Sequence, residues 1–389
     1  MLKRAALDPR SPMYTVADYG RMAADAVRMD AYQRAIRAVV RPGSVVLDLG
    51  AGTGIMSFLA LRAGAARVHA VDPNPAVLLI PELAKANGVG DRIVVHQASS
   101  LEMDAPERVD VVVADMRGSS PLLEHNLEAL RDARTRWLKP DGVLIPCRDR
   151  LKVVLVEAEA MDRRLEEAVG AFEKHGIAAE AVRQSVRNQV YGDAYSPVLA
   201  SDMLSSTATW ATLEYGQDVP TTIDGEVGVE VTRGGIARGL VSFFDAELAP
   251  GVTFTTAPGH AVVYHRLYLP LREPMRVSPG DRVRITLRAD RRGERWAWDT
   301  TFERDGSIVA QHRQATFLGA PATMTALLRS AETSTPSLGR KGELVRDVLC
   351  AMDGTRSLRQ IADEVGSRRR EPIADVLELA RSMAIRYGA

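Results

Sequence analysis

The sequence predicts an α/β protein: a Rossmann-like doubly wound parallel sheet, followed by a β-rich, barrel-like domain and a small C-terminal helical module. Apolar strands alternate with helical stretches between Ser44 and Pro146, which is typical of a doubly wound sheet. After Leu151 the strand candidates are short and separated by Gly, Pro or Asp, as in an antiparallel barrel or sandwich. The C-terminal residues show three short helical patterns.

Each predicted element follows from one of these patterns. The parallel strands are expected at Val45–Leu49, Val68–Val71, Ile93–His96, Val109–Ala114 and Val143–Pro146, with helices after Gly54, through Leu83 and through Leu130. The β-rich region has strand candidates at Val227–Val231, Gly239–Phe244, Ala261–Leu269 and Arg282–Ala289. A short helix and a linker cover 318–338, and helices follow at Glu343–Met352, Ser357–Val365 and Pro372–Tyr387. The predicted domains are 1–43 (helical segment closing over a cofactor), 44–150, 151–320 and 321–389.

Composition limits the classes of partner. Fifty basic and fifty acidic residues cancel, so no overall field favours nucleic acid or a membrane surface. The two cysteines, Cys147 and Cys350, match no metal-ligand spacing, which predicts a reducing cytoplasm and no metal site. No apolar stretch reaches membrane-spanning length. We therefore expect a soluble, cytoplasmic protein for which nucleic acid is an unfavoured partner.

A glycine-rich turn after the first strand predicts a nucleoside pocket. Gly50, Gly52 and Gly54 follow the apolar run Val45–Leu49, and Asp72 ends the next apolar run about 20 residues later. Asp72 has two acceptor oxygens and suits the two hydroxyl groups of a ribose. A chain reversal without a ligand would not require this combination of features.

The position of Asp48 selects among nucleoside cofactors. This carboxylate lies just before the glycines, where it would repel a pyrophosphate and attract an ammonium group. S-adenosylmethionine carries an ammonium, a sulfonium and a ribose diol but no phosphate, so we favour it over NAD.

The segment 19–36, the glycine turn, Asp72 and the following β-rich domain together resemble the protein arginine methyltransferases, over roughly residues 14 to 320. The resemblance implies that Arg28 pairs with the carboxylate of S-adenosylmethionine and that Met22 lies near the sulfonium. An arginine fork suits a carboxylate in two-point geometry. The resemblance also implies a homodimer, formed through an arm for which 191–197 is the candidate.

Further candidate residues lie near the expected positions of the adenine and the methyl acceptor. Ser100 or Glu102, after the third strand, would meet the adenine amine. Asp115 follows the fourth strand and Glu124 comes nine residues later, at the spacing of the two glutamates with which the family grips a guanidinium. In this sequence the first of the two family glutamates is replaced by Asp115, whose side chain is one methylene shorter.

Two further departures concern the acceptor site. Arg117 lies two positions after Asp115 and could neutralise part of the negative charge. His265 is displaced by about two positions from the family histidine that supports the carboxylates. If the strand is shifted, His265 still reaches the site; if it is not, His265 is an ordinary exposed or core histidine.

The chemistry expected at Asp115 and Glu124 is methyl transfer to nitrogen. The sulfonium donor is already activated, so the protein must orient a lone pair and remove a proton. Two carboxylates suit a cationic nitrogen acceptor better than an oxygen. The predicted substrate is a protein or peptide, through an arginine guanidinium or a peptide amine. The alternatives are small-molecule O- or N-methylation and a nucleic-acid-binding regulator on a methyltransferase scaffold.

The C-terminal module bears on the choice of substrate. Its segment 348–362 resembles, over a short span, the winged-helix peptide-binding domains associated with ribosomally made, modified peptides. Such a domain would hold a leader peptide by strand addition. The basic run 368–370 would also suit a nucleic-acid binder, and a plain packing or dimerisation module is the third reading.

Overall fold

The computed structural model describes residues 14–122, 126–290, 295–319 and 323–387. They fall into two compact units, 1–321 and 322–389. In the described residues of the first unit, two helices come first, a parallel sheet with helices between its strands follows, and two antiparallel sheets with three further helices come last. This architecture confirms the predicted fold class.

Two N-terminal helices precede the parallel sheet: α1 (Val16–Ala24) and α2 (Ala26–Val39). Thr15 begins α1 with a capping box, and Asp25 separates the helices and caps α2 through the Arg28 N–H. Helix α2 buries the face formed by Ala31, Tyr32, Ala35 and Ile36, whose spacing follows the helical period.

The parallel sheet contains β1 (Val45–Leu49), β2 (Arg67–Val71), β3 (Ile93–His96), β4 (Val109–Ala114) and β5 (Leu138–Ile145), with helices α3 (Ile55–Arg62), α4 (Ile80–Ala86) and α5 (Asn126–Asp132) between strands. Its strand order is β3-β2-β1-β4-β5, and every pair is parallel. The chain winds outward from β1 in one direction and returns at β4 in the other. Loops after β1 and β4 therefore diverge and leave a crevice at this edge.

The β-rich part of the first unit is antiparallel. Its strands are β6 (Arg148–Val156), β7 (Tyr191–Gly192), β8 (Ala208–Glu214), β9 (Thr222–Glu230), β10 (Gly235–Ala249), β11 (Val252–Thr255), β12 (Leu267–Val277), β13 (Arg282–Asp290), β14 (Trp296–Arg304) and β15 (Ser307–Ala315). One sheet has the order β7-β12-β10-β6-β8 with β11 beside β10, and the other has the order β15-β14-β13-β9. Large side chains such as Phe244, Leu269, Ile285 and Trp298 are buried in the same core as the parallel sheet.

Three helices in this region, α6 (Glu159–Glu173), α7 (Glu180–Arg187) and the short α8 (Thr316–Gly319), were not predicted. Helix α6 buries Met161, Leu165 and Val169 at intervals of four residues. These residues pack with Val241, Phe243 and Tyr268 of the adjacent sheet. The four-residue spacing is visible in the sequence and is the signal from which α6 could have been predicted.

One predicted strand needs correction. The predicted strand Ala261–Leu269 begins only at Leu267, because residues 261–266 form a loop that contacts α2 through the Val263 N–H and Asp25. The segment 191–197, the candidate dimerisation arm, begins in the sheet, where β7 pairs with β12 and the buried Asp193 accepts the Arg266 N–H. Its role as an arm stays a prediction.

The second unit consists, in its described residues 323–387, of α9 (Met324–Ser330), α10 (Arg340–Cys350), α11 (Leu358–Arg369) and α12 (Ile373–Tyr387). Val348, Ile361, Val365, Val376 and Ala380 form a core between the last three helices. These three lie close to their predicted positions, and Ser357 caps α11 as expected. The described residues of this unit contain no strand, so they offer no sheet edge for strand addition.

Two arginines of the basic run 368–370, Arg368 and Arg369, form ion pairs within the second unit. Arg369 donates to Asp347 at 2.6 Å and to Glu343 at 2.9 Å, both on α10. Hydrogen bonding to Arg369 lowers the pKa of Asp347 to about 2. These contacts reduce the positive field that a nucleic-acid-binding surface would need.

Helices long and apolar enough to span a bilayer were sought throughout the described ranges, and none was found.

Strand β9 offers a direct test of the packing between the two antiparallel sheets. A Cβ on Gly225 would lie 1.8 Å from the carbonyl oxygen of Trp210 in β8, whereas a Cβ on Gly228 would meet nothing within 4 Å. We expect Gly225→Ala to lower the free energy of unfolding by about 1–3 kcal/mol, because a backbone must shift. The matched variant Gly228→Ala should change it by less than about 0.5 kcal/mol. Urea unfolding measures both, and equal effects would contradict the close approach.

Candidate active site

The candidate site lies at the carboxyl ends of β1, β2 and β4. The glycine turn 50–54 follows β1, Asp72 follows β2, and Asp115 follows β4. Parallel strands end at the same edge of their sheet, so residues far apart in sequence meet there.

The glycine turn is held by backbone hydrogen bonds to β2. The N–H groups of Gly50 and Ala51 donate to the Val71 carbonyl at 2.9 and 3.1 Å. Gly50, Gly52 and Gly54 all have positive φ angles, which glycine adopts without strain. At Gly52 a Cβ would also lie 2.3 Å from the ring of Tyr19, so the turn needs glycine for space as well.

Asp72 is oriented by two backbone donors. Its Oδ2 accepts the Gly52 N–H at 2.7 Å and its Oδ1 accepts the Asn74 N–H at 2.7 Å. Each carboxylate oxygen has a second lone pair, so the group retains capacity for ribose hydroxyls. Burial raises its pKa, in spite of these two hydrogen bonds.

Asp48 is more deeply buried, with 2% of its surface exposed. Its Oδ2 accepts both the N–H and the hydroxyl of Ser57, at 2.8 and 2.6 Å, in the first turn of α3. Burial raises its pKa to about 6, although the Ser57 hydrogen bonds oppose this shift.

Arg28 reaches from α2 to Asp115. Its Nε donates to Asp115 Oδ2 at 2.5 Å, and its Nη1 donates to the Met22 carbonyl at 2.9 Å. Burial alone would lower the pKa of Arg28, but the charge of Asp115 outweighs it and raises the pKa. Met22 is half-buried and contacts Arg28 through its backbone.

Asp115 accepts hydrogen bonds on both oxygens. In addition to Arg28, Arg117 Nη2 lies 3.2 Å from Oδ1, and the Tyr264 hydroxyl lies 2.7 Å from Oδ1 and 2.6 Å from Oδ2. Burial acts to raise the pKa of Asp115, but Arg28 and Arg117 hold it below its ordinary value. The carboxylate is therefore ionised and fixed in direction.

A second buried carboxylate, Asp149 in β6, completes the charge network. Its Oδ1 accepts from Arg117 Nη1 at 3.0 Å, and its Oδ2 accepts from the Tyr215 hydroxyl at 2.5 Å. Burial raises the pKa of Asp149 to about 6 even with Arg117 beside it. In the described part of the site, Asp115 and Asp149 balance Arg28 and Arg117.

The remaining predicted residues lie apart from this network or outside the described ranges. His265 is half-exposed and its Nδ1 lies 3.7 Å from Asp193, while its neighbour Tyr264 contacts Asp115. Ser100 is buried near the end of β3, and its carbonyl accepts from Arg136 at 2.5 Å. Glu124 lies outside the described residues. The role of each stays a prediction.

Sequence reasoning missed Asp149 and Tyr264. Asp149 carries a signal, because it is an acidic residue in a strand whose neighbours Leu151 and Val153 are apolar and buried on the same face. Tyr264 carries none, since its position depends on where the loop 261–266 leaves the sheet.

Comparisons with known proteins agree with the predicted fold and family. Residues 32–147 match the family model for ribosomal protein L11 methyltransferase (PrmA). The histone-arginine methyltransferase CARMER of Anopheles gambiae is 30% identical over 287 residues, covering 70% of this chain and 46% of the relative. The protein arginine N-methyltransferase PRMT10 of Oryza sativa subsp. japonica is 28% identical over 308 residues, covering 68% and 78%. The chain thus spans about half the length of CARMER.

Solved structures share the fold. The Trypanosoma brucei PRMT1 enzyme-prozyme heterotetrameric complex with AdoHcy superposes with a TM-score of 0.68 at 22% identity, covering 76% of this chain and 96% of that one. Arabidopsis thaliana protein arginine methyltransferase 10, in a uniquely open conformation, superposes with a TM-score of 0.67 at 20% identity, covering 78% and 98%. The resemblance predicted from the sequence is confirmed: the chain is similar in sequence to protein arginine methyltransferases over about 70% of its length, and it shares the fold of their solved structures.

Asp48 permits a pH-dependent test of the site electrostatics. A buried carboxylic acid with a pKa near 6 opposes folding when ionised, so its penalty grows as pH rises from about 4 and is complete above about 6. Asp48→Asn keeps an oxygen to accept the Ser57 hydrogen bonds but removes the charge. We expect its free energy of unfolding, relative to wild type, to improve between pH 5 and pH 8 by about 1.4 kcal/mol, because about one pKa unit of the shift lies above pH 5.

Urea unfolding at both pH values measures this difference. The exposed Asp104→Asn variant controls for general charge effects and should show no comparable change. A pH-independent difference for Asp48→Asn would contradict the buried ionised state.

Proposed function

We propose that this protein arginine methyltransferase-like class I methyltransferase transfers a methyl group from S-adenosylmethionine to a nitrogen of a protein or peptide, with the arginine side chain as the favoured acceptor. The observation that carries the proposal is the Asp115 carboxylate, ionised and directed at the strand edge beside the glycine turn. The protein arginine methyltransferase relatives favour this function over a small-molecule methyltransferase or a nucleic-acid-binding regulator.

The residues of the glycine turn fit S-adenosylmethionine. Asp72 retains lone pairs for two hydroxyl groups, and the small turn beside it lets a ligand approach the backbone. Asp48 would attract an ammonium group through its charge, and Ser100 lies at the end of β3, where we expect the adenine. The bound cofactor supplies a methyl group on a sulfonium, which is activated for transfer without a metal.

We assign Arg28 to the cofactor carboxylate. Its guanidinium is buried and already bound to the carboxylate of Asp115, which demonstrates that its surroundings accept a carboxylate partner. Because Arg28 lies on the N-terminal helix pair, movement of these helices would exchange Asp115 for the cofactor carboxylate. Such an exchange would leave Asp115 Oδ2 available to the methyl acceptor.

On the acceptor side, we propose that Asp115 and Glu124 hold the nitrogen. An ionised carboxylate accepts N–H donors from a guanidinium or an amine and orients the remaining lone pair. One of the two carboxylates would take the proton released on transfer. His265 would assist if the loop 261–266 rearranges when substrate binds.

We also propose a homodimer acting in the cytoplasm on a protein or on a ribosomally made precursor peptide. The two cysteines, Cys147 and Cys350, are both free thiols, which is compatible with a reducing compartment. The second unit has its own core, so it can present a separate surface to a peptide. Its resemblance to peptide-binding domains supports a docking role for that surface.

Binding of ligands with and without the amino-acid tail tests the assignment of Arg28. We expect Arg28→Ala to weaken S-adenosylhomocysteine binding by about tenfold or more, because charged hydrogen bonds to the carboxylate are lost. Binding of 5′-methylthioadenosine, which lacks that carboxylate, should change by less than about twofold. Isothermal titration calorimetry measures both, and equal losses would contradict the assignment.

Transfer assays with methyl-labelled cofactor test the function itself. Two synthetic peptides, identical except for one arginine replaced by lysine, serve as acceptors, and fragment mass spectrometry locates the methyl group. We expect label on a side-chain nitrogen. Asp115→Asn and Glu124→Gln should each lower turnover by about 100-fold or more, since the acceptor loses its orienting carboxylate.

Cofactor binding by Glu124→Gln should stay close to wild type, and Asp115→Asn should not weaken it, because Arg28 then loses a competing carboxylate. A label found on oxygen, or no transfer to either peptide, would contradict the proposed function. For Glu124, parallel loss of turnover and of cofactor affinity would contradict its role on the acceptor side.

A further inference from the structure

Arg117 is a buried guanidinium that binds two carboxylates at once. Its side chain is 1% exposed. Nη1 donates to Asp149, while Nη2 donates to the Tyr32 hydroxyl at 2.7 Å and lies 3.2 Å from Asp115 Oδ1. Nε is 3.4 Å from the same oxygen of Asp115. All three guanidinium nitrogens thus have partners.

Aromatic rings enclose the guanidinium. The Cζ atom lies 5.3 Å from the ring centroids of Phe244 and Phe254, 5.6 Å from that of Tyr264 and 5.8 Å from that of Tyr32. Such contacts attract a cation, and the close packing leaves the plane of the guanidinium little freedom to turn. Arg117 is therefore locked, in contrast to Arg28 on the terminal helix pair.

The two arginines contact different oxygens of Asp115. Arg117 faces Oδ1, and Arg28 donates to Oδ2. The Tyr264 hydroxyl lies near both oxygens of Asp115 but carries one proton, so it donates to one of them at a time. If Arg28 exchanges Asp115 for the cofactor carboxylate, Oδ2 loses its guanidinium partner, whereas Oδ1 stays bound to Arg117. A guanidinium acceptor would then find one free oxygen on Asp115 instead of two.

We propose that Arg117 is a positioning residue that sets acceptor specificity: it withholds Asp115 Oδ1, so that Asp115 holds the acceptor nitrogen through Oδ2 alone. The inference rests on the proposed function. Two-point binding to a carboxylate favours a guanidinium, because its N–H groups form a fork, whereas a primary amine needs only one point. Arg117 therefore makes the enzyme's preference for an arginine acceptor over a primary amine smaller than it would be with both oxygens of Asp115 available.

Removal of Arg117 alone would leave two buried carboxylates against a single arginine, which destabilises the fold irrespective of specificity. The test variant is therefore Arg117→Met combined with Asp149→Asn, which removes one charge of each sign. The matched control is Arg187→Met with Asp162→Asn, a buried pair at 2.5 Å between α7 and α6. Both variants remove one buried arginine and neutralise its carboxylate partner.

The first measurement is the ratio of kcat/KM for the arginine peptide to that for the lysine peptide. In the Arg117 variant we expect this ratio to rise by about tenfold, as expected from one added charge-assisted hydrogen bond. The control should lower stability without shifting the ratio. A ratio that stays within about twofold of wild type would overturn the proposal and leave Arg117 a structural residue.

The second measurement needs no transfer and separates this proposal from the proposed function. The side-chain carboxyl of Asp115 is titrated by ¹³C NMR in the Asp149→Asn protein with and without Arg117→Met, so that the Asp149 charge is absent from both, and Asp115→Asn identifies the signal. The described groups that interact with it are Arg28 and Tyr32 from α2, Arg117, Asp149 from β6, and Tyr264 from the loop before β12. Without Arg117, its pKa should rise. An unchanged titration would overturn the inference even if neither peptide is methylated.

Discussion

The buried ion network around Arg117 is the interaction on which the junction between the parallel sheet and the β-rich domain depends. Arg117 follows β4, and its partners come from α2 through Tyr32, from β6 through Asp149 and from the loop before β12 through Tyr264. A buried guanidinium without partners would cost several kcal/mol, so these elements must be in place together. The same contacts direct Asp115. Packing of the parallel sheet against the antiparallel strands and orientation of the candidate catalytic carboxylate therefore depend on the same contacts.

Each carboxylate at the strand edge uses part of its capacity to shape the site. Asp72 holds Gly52 and Asn74, and Asp48 holds the first turn of α3 through Ser57. These hydrogen bonds orient the side chains before any ligand arrives, which lowers the entropy lost on binding. The arrangement suits a small, charged cofactor that contacts several loops at once.

The agreement between sequence and structure is best where the signal is local. The bounds of β1, β3 and β4 are as predicted, because each is a compact, mostly apolar run. Strands β1 and β4 are largely buried in the sheet, whereas β3 is its edge strand and exposes Val94. The predicted strand over Ala261–Leu269 was wrong for 261–266, since tertiary contacts with Asp25 hold these residues in a loop. Apolar composition cannot distinguish a buried strand from a buried loop.

The sequence by itself determined the class of fold, the glycine turn and the acidic residues at the carboxyl ends of β1, β2 and β4. Strand periodicity and the direction of parallel strands are local properties, so they place these residues at one edge. Only the tertiary structure decided which residues contact the Asp115 carboxylate and hold it ionised. It pairs this carboxylate with Arg28, Arg117 and Tyr264, from three separate parts of the chain, and balances Arg117 with Asp149. Electrostatic balance depends on distances of a few ångströms between distant residues, which no spacing along the chain specifies.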